Sequence, residues 1–120
     1  MKTIYIASPL PDDLAEDFER TAEKIRAAPR PSRYSREGAE LVIRLTEACL
    51  DYYFLGSVQK LGLGTMANQA TRIGLKTAVS GISVFVKQLS KRMSDEEVLH
   101  MIDLLEDLML EVTEEDEADA

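Results

Sequence analysis

The sequence contains no tryptophan, one cysteine and one histidine, and aromatic residues make up only 6% of its 120 positions. One cysteine cannot build an internal disulfide framework, and Met1-Lys2 leads into no apolar signal segment. An intracellular, cytoplasmic setting is therefore expected. One histidine excludes the usual di-iron set within one chain, which needs two Glu-x-x-His pairs, so Glu97 and His100 read as a solvated helix face. Cys49 has no neighbouring histidine to activate it and falls on an apolar stripe, as a packing residue does. The most apolar stretch, Ile73–Val86, is about 14 residues long and contains Lys76. Roughly 18–20 apolar residues are needed to span a bilayer, so no membrane span is expected. The glycines match neither a P-loop nor a dinucleotide fingerprint. These gaps leave no catalytic residue, no metal site and no cofactor to name, and an enzyme is the weaker reading.

What is present is a chain that can fold on its own. A hydrophobic fraction of 45% with 30% charged residues suits one domain with a real core. The pattern predicts an all-α fold, an antiparallel bundle of about four helices with a short N-terminal extended arm and an acidic, disordered C-terminal tail. Residues 1–112 form the bundle domain and 113–120 the tail. The arm covers 1–11, where Ile4-Tyr5-Ile6 favours an extended chain and Pro9 and Pro11 stop it. This opening resembles the first strand of nucleotide-binding α/β enzymes such as the deoxyribosyltransferases, over about ten residues. No alternation of strands and helices follows it, so an α/β fold is not expected.

A first helix is predicted over 12–28. Asp12 and Asp13 complement its N-terminus, Leu14, Phe18, Ala22 and Ile25 recur at helical spacing, and Pro29 and Pro31 end it. A second runs over 35–61 with Leu41, Leu45, Ala48, Tyr52 and Leu55 as its stripe, and Gly62 and Gly64 break the pattern. The third, 65–92, has β-branched residues at 78–86 that would also suit a strand, but its length and upstream pattern favour helix. The fourth, 94–112, opens with the capping box Ser94-Asp95-Glu96-Glu97. Val98, Ile102, Leu105 and Met109 then form a coiled-coil-like seam.

The third helix carries Ala67, Gly74 and Gly81 at seven-residue intervals, a small face that permits close helix approach at roughly 1 kcal/mol of propensity per glycine. The large Tyr52, Tyr53 and Phe54 are expected to pack into it. With the seam of the last helix, Ala67, Gly74, Gly81, Val98, Ile102, Leu105 and Met109 are the candidate oligomer or helix-packing face.

Charge is segregated along the chain. Residues 12–23 hold six acids and one base, residues 24–94 twelve bases and four acids, and residues 95–120 twelve acids and no base. Mutual neutralisation, within one subunit or between two, is the plainer explanation. The sharper one is a polyanion-binding cluster of Lys24, Arg26, Arg30, Arg33 and Arg36, restrained by the acidic tail. Lacking a recognisable nucleic-acid motif, the chain is not expected to bind nucleic acid.

A weak ligand site is also conceivable. Gly62, Gly64 and Thr65 would offer backbone N–H groups at a helix start, with Arg72 for an anion and Tyr52 and Tyr53 as walls. A tight interhelical turn is the plainer explanation of both glycines. The leading expectation is a non-enzymatic, self-associating bundle, dimeric by preference, that acts through protein contacts. Binding of an apolar or anionic small ligand is the alternative.

Overall fold

In the computed structural model, which describes residues 2–4 and 6–109, the chain forms four helices with no strand among the described residues. Helix α1 is Asp12–Ala27. Helix α2 is a continuous run over 35–61, made of Ser35–Leu50, a π-helical turn Asp51–Leu55 and a last segment Gly56–Leu61. Helix α3 is Thr65–Ser90 and α4 is Asp95–Asp107. The fold is all-α, as the pattern predicts, and the 78–86 stretch is helical. The described part of the N-terminal arm is neither helix nor strand, with Ile4 and Ile6 exposed. Helix α4 ends at Asp107, short of the expected 112, with Leu108 as its cap and Met109 outside it; residues 110–112 and the acidic tail at 113–120 lie outside the described residues.

Local chemistry sets the helix ends. The carbonyl of Pro11 accepts the N–H groups of Leu14 and Ala15, both at 3.1 Å, and Asp12 and Asp13 occupy the positive first turn of α1. Gly62 closes α2 with φ 66°, and Gly64 has φ 95°. Both values lie where a side chain would be strained, so these two glycines make the tight turn between α2 and α3. Ser94 begins α4 with a complete capping box. Its hydroxyl accepts the Glu97 N–H at 3.2 Å, and its own N–H donates to Glu97 Oε1 at 3.1 Å.

The core sits at one end of the molecule. Leu14, Phe18, Ala22 and Ile25 of α1 meet Leu41 of α2 and Val98 and Ile102 of α4. Gly38 lies where α2 passes α4, and a methyl group there would stand 2.6 Å from Met101 Cε. Beyond Leu41, α2 has no fully buried residue, and α3 has only Ser90, at its C-terminal end.

Helix α3 touches α2 and neither α1 nor α4. At 26 residues it is about 39 Å long. The α2–α3 hairpin therefore stands out from the three-helix base, and the molecule measures 50 × 38 × 32 Å.

Candidate functional site

The helical hairpin carries the most distinctive surface of the molecule. Toward α2, helix α3 turns the half-buried Leu75, Val79, Ile82 and Val86. Its opposite side carries Met66, Ile73 and Val84, which are 85%, 68% and 58% exposed, and Phe85, 61% exposed, lies on the flank a quarter turn from the α2-facing stripe. Leu61 and Leu63 at the tip and Leu89 near the far end are exposed as well. A side chain added at Gly74 or Gly81 would meet nothing within 4 Å.

This corrects one expectation. Tyr52, Tyr53 and Phe54 do not pack into the glycine face, and Tyr52 and Phe54 are 42% and 54% exposed. The physical reason is that burying Leu75, Val79, Ile82 and Val86 removes far more apolar surface from water than burying glycine. The helix turns Leu75, Val79, Ile82 and Val86 inward, and Gly74 and Gly81 face out together with Ile73 and Val84. Ala67, nearest the turn, is half-buried.

The other members of the proposed packing face lie elsewhere. Val98 and Ile102 are fully buried in the core, and Leu105 and Met109 pack against it half-buried. The seam of the last helix is thus consumed inside the chain.

The candidate ligand residues are not drawn into one site. Gly62 and Gly64 form the turn, and Thr65, which starts α3, lies about 10 Å along the helix axis from Arg72. Arg72 lines an open groove of about 350 Å³ together with Glu47, Asp51, Leu55 and Lys76. The two carboxylates there oppose an anion. Tyr52 and Tyr53 meet edge to face, centroids 5.2 Å apart, on the π-helical turn. Burial of the Tyr53 hydroxyl, which has no hydrogen-bond partner in the structure, pushes its pKa up.

The basic cluster at 24–36 is largely engaged. Arg26 donates to Asp103 and Glu106 of α4, both at 2.8 Å, and these bonds raise its pKa. Lys24 lies 4.6 Å over the Tyr34 ring and 4.0 Å from Glu37, and Arg36 reaches Glu40 at 3.6 Å. Arg30 and Arg33 are exposed and form no ion pair among the described residues. Ser32 donates its N–H to Asp95 at 2.8 Å, and the Ser32 hydrogen bonds, with the Arg30 charge adding less, hold the Asp95 carboxyl below its usual range. Arg44 joins Asp17 of α1 at 2.9 Å. Acids of α1, α2 and α4 thus neutralise bases of α1 and α2 within the chain.

That neutralisation stops at the hairpin. Between Tyr52 and Ser94 there is no acidic residue, yet Lys60, Arg72, Lys76, Lys87, Lys91 and Arg92 all fall there. The ion pairs of the described residues involve Arg20, Lys24, Arg26, Arg36 and Arg44, and none of these six. An exposed apolar helix face beside cations that form no ion pair is the feature that the sequence pattern alone did not bring out. The acid-free stretch is the signal that could have revealed it. No known family, curated protein or solved structure matches the chain.

Proposed function

We propose that this chain is a non-enzymatic interaction protein that self-associates, as a dimer by preference, through the uncovered side of its hairpin. One observation carries the reading: α3 is packed on one side only and leaves large apolar residues along the other. Contiguous exposed apolar surface beyond a few hundred Å² marks interaction surfaces in soluble proteins. Seven exposed apolar side chains from Leu61 to Leu89 amount to an area on the order of the roughly 800 Å² that each partner gives a standard interface. Full burial of each large side chain contributes about 1.5–3 kcal/mol, enough in sum to offset much of the cost of association.

Native mass spectrometry of the purified protein tests this. The expected result is a multiple of the 13.4 kDa chain, reduced to the single chain by Ile73→Glu with Val84→Glu. Both side chains are exposed, so helical content should stay unchanged. A wild-type chain that remains monomeric at tens of micromolar would end the proposal. A stoichiometric extra mass would instead favour ligand binding, for which the Arg72 groove is the place to look.

A further inference from the structure

Resting on that self-association, we infer that the basic, apolar C-terminal half of α3 receives the acidic last helix, α4, of a second copy. Packing two hairpins face to face would join two sets of six cations, of which only Arg72 and Lys76 have carboxylates, Glu47 and Asp51, in the groove beside them. Like charges brought together in an interface oppose association. The partner surface must supply apolar contact and negative charge together.

The chain itself has such a surface. On the side of α4 turned away from the core, Leu104 and Leu108 are 51% and 82% exposed, four residues apart on one face. Glu96 and Asp107 flank that side and form no ion pair among the described residues. Asp103 and Glu106, by contrast, are held by Arg26.

The receiving surface matches in kind. Phe85, Gln88, Leu89, Lys91 and Arg92 line an open groove of about 320 Å³ at the end of α3, with Lys87 exposed on the same stretch. Leu104 and Leu108 would lie against Phe85 and Leu89, and Asp107 beside them against Lys91 and Arg92, with Lys87 and Glu96 adding charge at the rim. Because donor helix and receiving groove are different parts of one chain, a two-fold arrangement makes the contact twice and closes.

Charge reversal with rescue tests this docking. Lys87→Glu/Lys91→Glu/Arg92→Glu and Glu96→Lys/Asp107→Lys are each expected to run as single chains at moderate salt. Mixed in equal amounts, they should recover the mass of the oligomer. If both variants keep the wild-type mass while Ile73→Glu/Val84→Glu loses it, self-association stands and this docking is wrong. Failure of the mixture to reassociate would also overturn it. A wild-type chain that is monomeric alone yet sediments with phosphatidylserine vesicles would assign the basic apolar face to a membrane surface and remove both readings.

Discussion

At Gly38 an added methyl group would come within 2.6 Å of Met101 Cε, whereas at Gly74 and Gly81 it would meet nothing within 4 Å. The same residue type is therefore under different constraints. Within a helix, glycine costs about 0.5–1 kcal/mol relative to alanine through lost backbone entropy. Gly74→Ala and Gly81→Ala should each stabilise the monomer by about that amount, read as a raised urea midpoint. Gly38→Ala meets only the flexible end of Met101, which has to swing aside, so its gain should be smaller than that at Gly74 or Gly81. A destabilised Gly74→Ala monomer would mean that the face is not open. At Gly62 and Gly64 the demand is different again, since positive φ there is what turns α2 back into α3.

The elements of the base are joined by carboxylates whose pKa values are pulled down. Asp17 is lowered chiefly by its hydrogen bond to Arg44, Asp95 by its bonds to Ser32, and Glu97 by its capping bonds to Ser94. A carboxylate with a depressed folded pKa binds fewer protons in the native state than in the unfolded one. It adds stability above its unfolded value, near 3.8 for Asp and 4.5 for Glu, and loses it as pH falls through the lower folded value. The urea midpoint should thus be flat near neutrality and drop as pH falls through about 5 to 3. Asp95→Asn keeps an acceptor for the Ser32 N–H but cannot titrate, so it should flatten part of that drop. An unchanged slope would show that Asp95 carries none of it. Glu97 is exposed and Asp17 and Asp95 are only half-buried, so salt should weaken the effect.

On the scale of the whole molecule, stability is uneven. The buried side chains cluster among α1, the start of α2 and α4, while the outer part of the hairpin has only the α2–α3 contact to hold it. Regions with few buried apolar contacts open at lower free energy than the core. In the Ile73→Glu/Val84→Glu variant, expected to be monomeric, amides near residues 66–90 should exchange hydrogen faster than those at Leu14–Ile25. In the oligomeric wild type that gap should narrow. Equal protection in both forms would show that association does not cover the hairpin.

Much of the architecture was written locally. Pro11-Asp12-Asp13, Pro29 and Pro31 bound α1; Gly62 and Gly64 separate two long helices; Ser94 and Glu97 start α4. These signals act over a few residues, through fixed backbone angles and short hydrogen bonds, so periodicity and capping chemistry suffice to read them. The apolar residues of α1 also identify the core, because each short helix has one stripe to bury. The π-helical turn Asp51–Leu55 left no such mark. What is available to a partner was decided in three dimensions. Helix α3 has apolar residues on more than one side, and its sequence does not say which will be covered. That depended on α3 having one neighbour, which took Leu75, Val79, Ile82 and Val86 and left Ile73, Gly74, Gly81, Val84 and Phe85 outside. The charge blocks behave alike: composition requires that acids and bases meet, but only packing determined that Arg26 finds Asp103 and Glu106 while the cations between residues 60 and 92 form no ion pair among the described residues. Burial and charge compensation are sums over neighbours distant in sequence, and a linear pattern cannot name those neighbours.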